Sequence, residues 1–106
     1  MLSFFKQFLD PAETGVNFEA LVEEGASIID VRTPGEYRNG HLKGSVNIPL
    51  QELSNKLDTI NRDQAIILCC ASGSRSGSAK RILTSNGFNE VYNGGGWARL
   101  QEKIYS

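Results

Sequence analysis

Two adjacent cysteines, Cys69 and Cys70, end the apolar run Ala65, Ile66, Ile67 and Leu68, and four small uncharged residues follow them, Ala71, Ser72, Gly73 and Ser74. The run over residues 65–70 has the length and composition of a strand buried on both faces, the kind found in parallel sheets. Arg75 then opens helical spacing to Asn86, with Ala79, Ile82 and Leu83 as the apolar stripe and Gly87 placed to close the helix. A strand, a small-residue loop and a helix start gather consecutive N–H groups about one point, where the helix dipole adds positive potential. A thiol at such a point ionises readily, its pKa falling from about 8.5 into a range of roughly 3.5 to 7.5. The chemistry this predicts is that of a nucleophilic thiolate, with Cys70, first residue of the loop, as the candidate. Cys69 is expected to be a small buried hydrophobe. Side chains alternate along a strand, so only one of the two sulfurs can face the centre of the loop.

Other residues invite chemistry and carry plainer readings. Arg75 could bind the anionic part of a substrate or could pair with a carboxylate such as Glu36; the sequence leaves both open. His41, the only histidine, is expected to bond backbone through a ring nitrogen, since a low-pKa thiolate needs no base. Asp30, at a strand end ahead of Arg32, is expected to order the following loop by hydrogen bonds. Gly94, Gly95 and Gly96 lack the spacing and acidic partner of a nucleotide-binding loop and read as a flexible turn. Lys80 and Arg81 read as a solvated face that could also dress a rim for an acidic partner.

The elements that must position Cys70 follow from the pattern on either side. Asn17 predicts an N-cap for a helix over residues 18–24, ended by Gly25. Residues 26–31 read as a second buried strand, Arg32 to Gly35 as a turn, and Pro34 as the start of a short helix that Gly40 stops. A brief strand over 45–48 ends at Pro49. Leu50, Leu53 and Leu57 predict a helix over 50–57. Residues 88–92 read as a last strand, 93–96 as a loop and 97–104 as a closing helix. Helices alternating with short apolar strands predict an α/β domain on a mostly parallel sheet flanked by helices. In such sheets chemistry gathers at the carboxyl ends of strands, where Cys70, Asp30 and Arg32 all fall.

A chain of 106 residues fits one domain, expected over residues 17–104 behind an N-terminal segment, residues 1–16. Apolar residues at 40%, charged residues at 22% and a net charge of −1 argue against disorder and against a nucleic-acid partner. Adjacent cysteines cannot staple a long loop and close on each other only with strain, which favours a reducing, cytoplasmic setting. Near the start, Leu2, Phe5 and Phe8 or Leu9 would share one face of a short helix, read as docked on the domain or loosely held rather than touching a membrane. Lys6 and Gln7 interrupt that stretch and no small-residue cleavage site follows, against an export signal. No stretch approaches the roughly 20 apolar residues of a membrane span.

Several segments together resemble the rhodanese superfamily. Asp30-Val31-Arg32, Glu36-Tyr37, Gly40-His41-Leu42-Lys43-Gly44-Ser45 and Asn47-Ile48-Pro49 are similar to its D-V-R, E-[YF], G-H-[IL]-x-G-[AS] and N-[IL]-P segments. Cys70-Ala71-Ser72-Gly73-Ser74-Arg75-Ser76 resembles its C-x-x-G-x-R-S active loop, and Gly87-Phe88 with Gly95-Gly96-Trp97 its closing pattern. The resemblance covers Asn17 to about Leu100 and implies a rhodanese-like three-layer α/β domain. It further implies a sulfurtransferase in which Cys70 takes the outer sulfur of a thiosulfate-like anion as a persulfide and passes it to cyanide or a thiol, a thioredoxin-like protein among the candidates. In that reading residues 71–76, namely Ala71, Ser72, Gly73, Ser74, Arg75 and Ser76, form the substrate loop. Asp30, Arg32 and Glu36 support it, and no metal or cofactor is required. Counted from Cys69, the same letters fit the C-x5-R loop of cysteine phosphatases, which is the rival; Leu68 stands where the tyrosine-type enzymes carry histidine. The third class is a non-catalytic binding module of the same fold, and such modules usually lack the cysteine or the arginine.

Overall fold

Local sequence rules start each element. The computed structural model describes residues 11–105; the expected helix over the first nine residues lies outside them. The Asn17 side chain accepts a hydrogen bond from the Ala20 N–H and so starts helix α1, Phe18–Glu23. Strand β1, Ser27–Asp30, follows. Thr33 and Glu36 bond each other's backbone N–H groups in a capping box that opens α2, Pro34–Arg38, with Pro34 in the first turn. Strand β2 is Ser45–Asn47, and α3 is Leu50–Leu53. After a 3-10 turn at Leu57–Thr59 come β3, Ile66–Cys70, and the long helix α4, Ser74–Ser85. Strand β4, Val91–Gly96, runs directly into α5, Trp97–Tyr105.

The four strands form one parallel sheet in the order β2-β1-β3-β4. From β1 the chain steps outward to β2 and then returns across β1 to β3, so the direction of winding reverses between β1 and β3. The carboxyl ends of two such strands diverge into a crevice, the usual place for a ligand in an open α/β sheet. Asp30 and Cys69 are register partners at that point, and the Val31 N–H bonds the Cys69 carbonyl at 3.0 Å.

The core lies in two halves because β3 alternates. Ile66, Leu68 and Cys70 pack with Leu53, Ala79 and Leu83 on one face, the side of α3 and α4. Ile67 and Cys69 pack with Phe18, Leu100 and Ile104 on the other, the side of α1 and α5. All five residues of β3 are buried, as a central strand covered on both faces requires. This is the three-layer α/β arrangement expected from the sequence.

Two expectations are corrected. The helix over 50–57 stops at Leu53: the Asn55 and Lys56 N–H groups bond back three residues, to Glu52 and Leu53, and the chain tightens into turns before the 3-10 segment. Leu50 and Leu57 still pack against the core, from two short elements rather than one helix, so helical spacing alone misled. The second correction concerns residues 93–96, which are strand and not flexible loop, while Phe88 packs into the core ahead of the strand rather than within it. The glycines are there for close approach. A Cβ on Gly94 would meet Leu100 Cδ2 at 2.8 Å, Ile67 Cγ2 at 2.9 Å and the Leu68 carbonyl oxygen at 3.0 Å. Gly94→Ala should therefore destabilise the fold by about 1 to 3 kcal/mol through overpacking, read as a lower urea midpoint; an unchanged midpoint would mean the strand can shift to make room.

Candidate active site

Residues 71–73 carry the chain from the end of β3 into α4. Gly73 makes the turn possible: its φ of 102° is left-handed backbone, and a Cβ there would collide with the ring of Pro11. Gly96 gives room from the other side, since a Cβ on it would stand 2.9 Å from the Ala71 carbonyl oxygen. Glycines in the loop and in β4 thus let the loop, the end of β4 and Pro11 approach one another closely beside the end of β3, where Cys70 stands.

Groups of Gly73 and Ser76 stand within hydrogen-bond distance of that sulfur. The Gly73 N–H lies at 3.0 Å, the Ser76 N–H at 3.4 Å and the Ser76 hydroxyl at 3.4 Å. The Ser76 N–H belongs to the first turn of α4, where N–H groups have no partner within the helix, and the helix dipole acts in the same sense. Burial works against a charged sulfur and would push the Cys70 thiol up. Hydrogen bonds from the Ser76 hydroxyl and from the Ser76, Ser72 and Gly73 N–H groups outweigh it, and the thiol lies below its ordinary value. Cys69 has the opposite fate. Burial, with the nearby Asp30 carboxylate adding to it, pushes its thiol far above the ordinary range. Both cysteines are unpaired, so neighbouring residues of one strand carry one ionisable sulfur and one inert one.

The remaining residues of interest fall into two ion pairs. Arg75 meets Glu36 in a bidentate pair, Nη1 to Oε1 at 2.7 Å and Nη2 to Oε2 at 3.0 Å, at a half-exposed position. The Arg75 guanidinium, aided by the Thr33 backbone, holds the Glu36 carboxyl down to about 2. The pair is therefore intact above pH 4.5, the ordinary value, and is lost only as pH falls toward about 2. Asp30 and Arg32 form the second pair, and both are buried. The Asp30 carboxylate accepts from the Arg32 N–H and guanidinium at 2.8 to 3.0 Å, and Arg32 Nη2 also donates to the Gly40 carbonyl. Burial opposes the Arg32 charge, the Asp30 carboxylate more than restores it, and the guanidinium, lying over the Trp97 ring, stays above its ordinary value. Their hydrogen bonds run to each other, to Gly40 and to Asn47, not to Cys70. The structure thus places Asp30 and Arg32 as a buried brace at the end of β1, and Glu36 as the residue that orients Arg75 at the loop.

His41 donates through Nδ1–H to the Tyr37 carbonyl at 2.8 Å and stacks on the Tyr37 ring, the backbone bond read from the sequence. Lys80 pairs with Glu13 at 2.9 Å and Arg81 bonds the Ser78 hydroxyl. No group of three or more His, Cys, Asp or Glu side chains suited to a metal ion occurs among the described residues. None of their helices is long and apolar enough to cross a membrane.

One residue of the site is missing from the reading of the sequence. Asn93, in β4, bonds Ser76, Gly73, Gly95 and Pro11 at once. The signal was an amide followed by three glycines inside a strand, a mark of close backbone approach that was read as a turn.

Comparisons with known proteins agree with this fold. A family model described as the rhodanese-like domain matches residues 16–103. The uncharacterised Bacillus subtilis (strain 168) protein YqhL is 41% identical over 80 residues, which cover 74% of this chain and 64% of that protein. The thiosulfate sulfurtransferase PspE of Escherichia coli (strain K12) is 39% identical over 70 residues, 64% of this chain and 67% of that one. The chain thus spans less than two thirds of YqhL and about two thirds of PspE. Among solved structures, a rhodanese with anions from E. coli superposes with a TM-score of 0.66 at 36% identity, over 70% of this chain and 89% of that one.

The two sulfurs should separate cleanly in a labelling experiment. Iodoacetamide should alkylate Cys70 with a pH midpoint below the roughly 8.5 of an ordinary thiol, while Cys69 stays unlabelled until the chain is unfolded; equal labelling of both in the folded protein would contradict the site described.

Proposed function

This chain belongs to the rhodanese-like domain family, and from that premise we propose that it is a sulfurtransferase working through a persulfide on Cys70. The Cys70 thiolate attacks the outer sulfur of a thiosulfate-like anion. A sulfur–sulfur bond forms, the donor's own sulfur–sulfur bond breaks, and sulfite leaves with the electron pair. The charge that was on the thiolate now sits on the outer sulfur of the persulfide. A nucleophilic acceptor, cyanide or a thiol such as that of a thioredoxin-like protein, then takes the outer sulfur and returns Cys70 as a thiolate.

The observation that carries this reading is the set of N–H donors on Cys70 Sγ, from Gly73 at 3.0 Å and Ser76 at 3.4 Å. Donors fixed in advance stabilise an anion without reorganising during the reaction, as an oxyanion hole does. Cys70 is itself buried, and the residues over it, Ala71, Ser72 and Ser74, are exposed and small, so no large side chain bars a small anion from the loop. Arg75 spends two of its five guanidinium N–H groups on Glu36, and a donor's sulfonate can take up others, so the pairing and the substrate-binding readings are compatible. Asp30 and Arg32 act at one remove, by fixing the end of β1 beside the loop. Two unpaired cysteines suit a reducing, cytoplasmic setting. PspE is named for thiosulfate, and thiosulfate is accordingly the donor to try first.

The phosphatase reading needs Cys69 as nucleophile. Its sulfur is packed with Phe18, Ile67 and Leu100 on the face of the sheet away from α4, and its thiol is pushed up by burial. Both observations count against that register. Keeping both Cys70 and Arg75 counts against a purely binding module.

Incubation with thiosulfate should add the mass of one sulfur atom to the intact chain. Cys70→Ser should abolish the adduct and transfer to cyanide, and Cys69→Ser should keep both. Loss of activity in Cys69→Ser with survival in Cys70→Ser would overturn the assignment, as would hydrolysis of a phenyl phosphate ester without any sulfur uptake.

A further inference from the structure

Ser76 has one hydroxyl proton and two acceptors within reach. Its oxygen stands 2.7 Å from Asn93 Oδ1 and 3.4 Å from Cys70 Sγ. Asn93 Oδ1 also accepts the Gly95 N–H at 2.9 Å, so it remains satisfied when the hydroxyl turns to the sulfur. The other end of the same amide donates to the Gly73 carbonyl at 3.2 Å and to the Pro11 carbonyl at 3.4 Å. These partners fix which way the amide points, since a flipped group would set its NH2 against the Gly95 N–H. Asn93 is itself anchored, its backbone N–H bonding the Glu13 carboxylate and its carbonyl accepting the Glu13 N–H.

Taking Cys70 as the reacting sulfur, as proposed above, we infer that Asn93 is the positioning residue of the site. Its amide clamps the Ser76 hydroxyl and the Gly73 carbonyl, on two of the three residues whose donors act on Cys70 Sγ, and ties both to the segment at residues 11–13. The clamp is arranged to follow charge. While Cys70 is a thiol, its S–H donates to the Ser76 oxygen and the hydroxyl proton rests on Asn93. When Cys70 is a thiolate, the hydroxyl proton turns to the sulfur and the Gly95 N–H alone holds Oδ1. When a second sulfur carries the charge outward, the hydroxyl returns to Asn93. No covalent bond changes in these steps; one hydroxyl rotates. The charged and titratable groups around the clamp are Arg75 and Cys69, which interact electrostatically with Cys70, and the Glu13–Lys80 pair beside Asn93. None of them needs to change its protonation for the hydroxyl to turn.

The test reads the pH midpoint of iodoacetamide alkylation at Cys70, localised by fragmenting the labelled peptide, in the full chain and in Asn93→Leu, Asn93→Ala and Ser76→Ala. Ser76→Ala, which deletes a donor to the sulfur, should raise the midpoint by about one pH unit, roughly tenfold less thiolate at neutral pH, the usual worth of one hydrogen bond to a charged group. The Asn93 variants, which release Ser76 and Gly73 from their places, should raise it in the same direction. A role confined to holding the fold would lower the urea midpoint and leave the alkylation midpoint in place; that result in a folded Asn93 variant overturns the inference. A wild-type midpoint in Ser76→Ala also overturns it, whether or not the Asn93 variants fold, because the clamp would then have nothing to act through. Failure of the wild type to take up sulfur from thiosulfate would sink the proposed activity but leave this measurement to decide the role of Asn93.

Discussion

The two-residue period of a β-strand is the constraint on which the site depends. Because β3 is covered on both sides, its side chains must go alternately to one half of the core or the other, and two cysteines in succession cannot share an environment. One sulfur is packed among hydrocarbon beside a carboxylate, where ionisation is disfavoured. The other lies on the face where the chain turns into a helix and offers N–H groups that nothing else claims. Burial opposes charge at both positions, and hydrogen bonding decides between them. The difference between the two thiols is made by hydrogen bonds, from the Ser76 hydroxyl and from backbone N–H groups, rather than by a base.

The rest of the architecture keeps that backbone in place. The winding of the sheet reverses between β1 and β3, so the end of β1 lies beside the loop, and the Asp30–Arg32 pair holds it there. Removing one member of such a buried pair strands the other charge, at a cost of about 3 to 5 kcal/mol. Glu36, from the first turn of α2, reaches the start of α4 to orient Arg75. β4 contributes glycines, which make space, and Asn93, which fills the hydrogen-bonding positions that space exposes. β1, α2 and β4 thus each supply something to the loop that the loop's own short sequence cannot.

The parts of this legible in the sequence are those set by local rules. The apolar run of β3, the N-cap at Asn17, the proline start of α2 and the small-residue loop after Cys70 all report on neighbours a few residues away. The same rules misread β4, because glycine is more often a turn former than a strand residue, and the tight fit against Leu100 and Ile67 that demands it is visible only in three dimensions. Leu50, Leu53 and Leu57 kept helical spacing across two separate turns, since the core asks only that the side chains arrive. Asn93 was illegible for a different reason. Its partners come from the segment at 11–13, from the start of α4 and from its own strand, and no local pattern joins them.

The opposed orientation of the two cysteines also shapes how the domain meets oxidants. A peroxide that converts Cys70 to a sulfenic acid finds no second thiol of the chain on that face to condense with, because Cys69, the other of its two cysteines, points across the sheet. An intramolecular disulfide is thus closed off as a shelter. Recovery from oxidation then falls to a reductant that reaches the sulfur from the loop side, and further oxidation competes with its arrival.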